Sequence, residues 1–171
     1  MRNWLMALCL LSGASSAAGD APGLSILSIA VNGPRLSVGL DGPVANFIGF
    51  EHAPVTPAQT AQLARAVEVL GAGNNLVLTP PEAYCRMDSA AVSPPAYGAA
   101  SRTGPARLAA SWQFLCSSPA ALIWIDARVF ASFPNTARLA TSVVTPSGRK
   151  AVVLTPGTTR VLLPRSPARL D

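Results

Sequence analysis

The chain's single histidine, His52, stands beside an acid, Glu51, in the run Phe47-Ile48-Gly49-Phe50-Glu51-His52-Ala53-Pro54. A neutral imidazole and a carboxylate both ligate zinc, and here they could supply two donors, with Asp88 or water completing the shell. The same pair could instead hold its loop by a hydrogen bond. A third use, His52 as a general base, needs a nucleophile in a recognisable setting. Serines are plentiful, but the chain has no G-x-S-x-G, no glycine-rich phosphate loop after a strand and no paired carboxylates. The expectation is a non-catalytic protein whose metal site, if any, is Glu51 with His52.

Three cysteines follow a different logic. Cys9 lies in the apolar run 4–11, which follows Arg2 and precedes the small residues Ser16-Ala17-Ala18. That order reads as a cleaved secretory signal peptide over 1–19, too short to span a bilayer as a stable segment. Export leaves Cys85 and Cys116, which are expected to form a disulfide. A thiolate metal site and a redox pair are the alternatives, though the chain has no C-x-x-C to support a thioredoxin-type role. About 150 residues then remain, from 20 to 171, enough for one domain with a real core.

The chain carries 13 Lys+Arg against 8 Asp+Glu, a net charge of +5. Its bases are scattered along the sequence, and aromatic residues, 6% of the chain, are not interleaved with them. That pattern gives no nucleic-acid stripe. Trp112 and Trp124, at strand spacing, read as core rather than as a ligand-stacking pair.

The elements that must position these residues are legible by period. Thr56-Pro57-Ala58-Gln59 is a capping box with Pro57 in the first turn, and Gln59 is expected to reach back to the Thr56 amide. Leu63, Ala66, Val67 and Leu70 then form one apolar stripe, and Gly71 and Gly73 are the stops. Glu51 and His52 therefore sit on the loop feeding the main helix. Upstream, 24–32 and 35–41 flank Asn32-Gly33 as a hairpin, and 46–50 reads as a third short strand. Downstream, 75–79, 107–117 and 122–126 read as strands, and 128–133 as one helical turn. A second hairpin, 138–145 with 150–155, turns at Pro146-Ser147-Gly148, and 161–163 adds an edge strand. The stretch 89–105, rich in Ser, Ala, Pro and Gly, reads as a flexible loop. Phe47/Phe50 and Phe130/Phe133 give a loose internal echo. The fold class is α+β: an antiparallel sheet system with hairpins, covered by one main amphipathic helix.

Three pieces, in this order and spacing, resemble the ZrgA-like family of periplasmic zinc-uptake-associated proteins. They are Asn46 to Pro54, the strand Trp112-Gln113-Phe114-Leu115-Cys116, and Phe130-Ala131-Ser132-Phe133-Pro134 followed by the Pro146-Ser147-Gly148 hairpin. The resemblance implies an exported, periplasmic accessory role in zinc homeostasis, with a divalent metal or a periplasmic transport component as partner. It also implies histidine-rich tracts at the mature start and in the central loop. This sequence has neither: Asp20-Ala21-Pro22-Gly23 and 89–105 contain no histidine. Of the positions that could coordinate zinc, Glu51 and His52 are those that match. The other reading is an envelope protein-interaction module with no metal role.

Overall fold

Alternating side chains build the first hairpin. β1 (Leu24–Asn32) and β2 (Arg35–Pro43) pair antiparallel, from Ile26 opposite Asp41 to Asn32 opposite Arg35. Leu27, Ile29, Leu36, Val38 and Leu40 are buried on one face, while Ser28, Ser37 and Gly39 lie on the other. Gly33 holds the first of two loop positions at φ 57°, with Pro34 second, which suits a type II′ turn. The computed structural model describes residues 21–73, 75–98 and 104–164. The signal peptide read at 1–19 lies outside them, as do 99–103 of the expected loop.

The remaining elements are α1 (Val44–Ile48), α2 (Pro57–Ala72), β3 (Val77–Leu78), β4 (Cys85–Ser93), β5 (Arg107–Cys116), β6 (Trp124–Ala127), α3 (Val129–Ser132), β7 (Arg138–Thr145), β8 (Gly148–Leu154) and β9 (Arg160–Leu162). Six strands form one sheet in the order β4-β5-β2-β1-β7-β8, and three form another in the order β3-β6-β9. All described pairings are antiparallel except β1 with β7, which runs parallel from Leu24–Arg138 to Ala30–Val144. The α+β class, both hairpins and the main helix are as the sequence implies.

α2 starts as its residues dictate. The Thr56 hydroxyl accepts from the Gln59 amide at 3.2 Å, and Pro57 sits in the first turn. Gln59 reaches back one residue further than expected, accepting from the Val55 amide at 2.9 Å. Ala66 and Leu70 are buried and Leu63 and Val67 half-buried, so the stripe faces the sheet. There the Trp112 indole N–H donates to the Leu70 carbonyl at 2.7 Å.

Two expectations are corrected. The stretch 46–50 is not a strand: α1 occupies Val44–Ile48, closed by Gly49 at φ 81°. A strand would turn Phe47 and Ile48 to opposite faces, and exposing either costs about 2 kcal/mol. One helical turn buries Val44, Phe47 and Ile48 together. The stretch 89–105 is only partly a loop, because 89–93 continue β4 as an edge strand paired to β5. An edge strand whose side chains are mostly exposed needs no apolar alternation, so period gave no sign of it. A bulge between Met87 and Ser89 interrupts the register.

The disulfide Cys85–Cys116 joins directly opposed residues at one end of β4 and β5. Phe47 of α1 meets Phe133, at the end of α3, edge to face at 5.1 Å, so the two halves of the sequence echo touch in the core. All of these contacts lie on one side of the six-stranded sheet. Its opposite face carries no helix or second sheet among the described residues, and its side chains there are exposed or half-exposed.

Candidate metal-binding loop

Loop 49–56 is held at both ends. At its start the buried Asn46 side chain accepts from the Gly23 amide at 3.0 Å and donates to the Leu24 carbonyl at 2.9 Å and to Ser25 Oγ at 3.0 Å. The Thr136 hydroxyl donates to the Asn46 carbonyl at 3.4 Å. Gln62 of α2 donates to the Ile48 carbonyl at 2.8 Å, tying the two helices across the loop. A loop fixed on rigid elements in this way can hold a side chain in a defined pose.

His52 is exposed, yet its ring is oriented. It stacks on Phe50 with centroids 5.0 Å apart and 26° between planes. Its Nδ1 lies 2.9 Å from the Ala53 carbonyl oxygen. A carbonyl only accepts, so Nδ1 carries the proton in this contact. In the neutral ring the lone pair is therefore on Nε2. Zinc-ligating histidines are commonly oriented by such a bond from the other ring nitrogen to a backbone carbonyl.

Glu51 and His52 line an open hollow of about 690 Å³, together with Ala53, Tyr97 and residues 104–106. The Ala106 wall is fixed by its carbonyl, which accepts from the Val44 amide at 2.7 Å. Tyr97 was not singled out by sequence, being the lone aromatic of a stretch read as structureless. Its hydroxyl is buried without a hydrogen-bond partner among the described residues, and burial pushes its pKa up. Asp88, the third expected donor, is exposed at the β4 bulge and does not line the hollow. Among the described residues no three of His, Cys, Asp and Glu gather where they could share a metal ion. Glu51 and His52 thus offer two donors and leave half of a tetrahedral shell open.

A model of the ZrgA family of zinc uptake proteins matches residues 21–163. The chain belongs to the ZrgA family. The match to the ZrgA family takes in both sheets, all three helices and the Glu51-His52 loop. No curated protein matches the chain.

The other chemical groups have structural settings in this ZrgA-family fold. Trp112 is fully buried. Trp124 is half-buried beneath the Arg160 guanidinium, 4.0 Å from its ring centroid. The buried Asp126 carboxylate accepts from Thr159 Oγ1 at 2.5 Å and pairs with Arg128 at 3.1 Å and Arg160 at 3.6 Å. No sequence motif announces that cluster, because its members are drawn together by the register of β6 and β9. No helix among the described residues is long and apolar enough to cross a membrane.

Proposed function

We propose that this ZrgA-family protein is an exported, periplasmic accessory protein of zinc homeostasis. It takes zinc weakly and transiently through His52 Nε2 and a Glu51 oxygen, and it catalyses no reaction. The observation that carries the metal reading is the Nδ1 contact to Ala53, which leaves Nε2 as the ligating nitrogen. Two donors on an exposed loop suit an ion that is received and passed on, because the open positions admit water or a donor from another protein. The leader read at 1–19 and the Cys85–Cys116 bridge both support an oxidising compartment outside the cytoplasm.

Zinc titration of the oxidised mature protein, read by native mass spectrometry, tests this. One zinc retained at micromolar metal, and lost in His52→Ala, is the expected result. Equal zinc retention by the wild type and His52→Ala, or none by either, refutes metal binding at this loop. A second reading, an envelope interaction module without a metal role, draws on the uncovered face of the large sheet.

A further inference from the structure

The bases that look scattered in sequence are gathered by strand register. In the six-stranded sheet, Arg35, Arg86, Arg107, Arg138 and Arg149 each flank an inward-facing residue and so point to the uncovered face. The described residues contain nine bases and six acids in all. Five of those bases and two acids, Asp41 and the exposed Asp88 that flanks inward-facing Met87, belong to this face, so it carries a formal +3 while the rest carries no net charge. Asp41 is already paired with Arg107 at 2.5 Å. Arg35, Arg86, Arg138 and Arg149 make no ion pair among the described residues, and all four are exposed.

Three of those arginines line one end of the sheet: Arg86 and Arg35 are both cross-strand partners of Leu115, and Arg149 lies two residues from their row. Arg86 on β4 and Arg149 on β8 are five strand spacings apart, about 24 Å. Arg35 and Arg138 lie near opposite ends of the strands, separated by about 27 Å. The area between has one small-chained row, which crosses β2, β1 and β7 through Gly39, Ser28 and Ser142. The face's exposed aliphatic side chains are Ile26, Val144 and Val153, at 39%, 41% and 54%, and Gln113 and the half-buried Leu115 also rise from it. Apolar side chains bordered by charge are the anatomy of a protein interface. The triangle that Arg86 and Arg149 make with Arg138 encloses roughly 320 Å², a part of the roughly 800 Å² that each partner of a standard complex contributes.

We infer that this face docks a protein partner that sets carboxylates against the arginine row at one end of the sheet and lays apolar surface over Ile26, Val144 and Val153. The inference deepens the accessory-protein reading and rests on it, but not on zinc binding by His52. A second copy would set +3 against +3, so self-association is disfavoured. Nucleic-acid sheets stack bases on aromatic side chains, and this face has none. The same lack of aromatic anchors favours a protein over a lipid surface.

The test places the photo-crosslinking residue p-benzoylphenylalanine at Ser142, at the centre of the face, or at Glu68 on the exposed side of α2, in intact cells of the native host. The expected result is a discrete protein adduct from position 142 and none from position 68. The purified partner should bind the mature protein and lose about tenfold in affinity with Arg35→Glu/Arg149→Glu or with raised salt. Arg65→Glu, on α2, should change nothing. Salt dependence of the wild type keeps the test decisive should the double variant fold poorly. Four outcomes overturn the inference: no adduct, an adduct only to a second copy, an adduct indifferent to both charge reversal and salt, or sedimentation with phosphatidylethanolamine–phosphatidylglycerol vesicles in place of protein binding. Zinc retention without an adduct would defeat this inference and leave the metal reading standing. An adduct without zinc would do the reverse.

Discussion

Two glycines at the end of α2 should respond to alanine with opposite signs. Gly71 is helical, and a Cβ added there meets nothing within 4 Å. Alanine should relieve the entropic cost of a helical glycine, stabilising the fold by about 0.5–1 kcal/mol. Gly73 caps the helix at φ 53°, and a Cβ there would stand 2.3 Å from two atoms of the Trp112 indole. The left-handed backbone costs a non-glycine residue roughly 1–2 kcal/mol. Overpacking a core adds about 1–3 kcal/mol. Trp112 cannot swing aside, since it is fully buried and its N–H is committed to Leu70. Gly73→Ala should therefore cost about 2–5 kcal/mol. The assay is urea unfolding of the oxidised protein followed by tryptophan fluorescence and circular dichroism. Trp112→Leu, itself destabilising, should shrink the cost of Gly73→Ala measured in its background, because the steric part disappears. Equal effects at the two positions, or a cost at Gly73 unchanged by Trp112→Leu, would refute the packing argument.

Removing the Cys85–Cys116 bridge, which spans a separation of 31 residues, should cost about 3–4 kcal/mol in the chain-entropy description, measured by the same unfolding with Cys85→Ala/Cys116→Ala. Asn46→Ala should cost about 2–3 kcal/mol in thermal or chemical unfolding, because the Gly23 amide and the Leu24 carbonyl both lose a partner. At Asp126, burial pushes the carboxyl up, while the Thr159 hydroxyl and the Arg128 and Arg160 guanidiniums pull it further down, leaving it below its ordinary 3.8. A depressed folded value means stability that is present above the unfolded value and lost as pH falls through the folded one. Asp126→Asn should cost about 2 kcal/mol at neutral pH, moderated by the half-exposed arginines. That gap should persist down to the ordinary carboxylate range and close below it, as read by unfolding midpoints across an acid series.

Local chemistry was legible wherever one residue type admits one conformation. Thr56 and Pro57 mark the start of α2, Gly33 marks the first turn, and Cys116 lies on the inward face of β5 because its alternation partners are apolar. α1 was misread because Phe47-Ile48 is apolar in either period, and only the buried cluster it joins decides for a helix. β4 as a whole, Cys85–Ser93, has no signature in the sequence, because edge pairing is a main-chain matter that its mostly exposed side chains do not signal. The Glu51-His52 pair was visible as residue types, and the ring's orientation was not, since it depends on Phe50 stacking and the Ala53 carbonyl. Charge was the least legible property. Arginines far apart in sequence become one electrostatic face only after five pairings are in register.

The parallel pairing of β1 with β7 has a consequence in time. β1 lies inside the sheet, with β2 on one side and β7 on the other. β2 follows it at once, but the opposite edge waits for Arg138 and the strand it begins. Closing so large a loop is entropically slow, and folds dominated by such distant pairings complete in roughly milliseconds to seconds. Until then Leu27 and Ile29 border an unpaired edge, the exposed kind of edge that recruits strands from other chains. The last-arriving hairpin, β7 with β8, is thus both the closing piece of the sheet and the guard of its oldest strand.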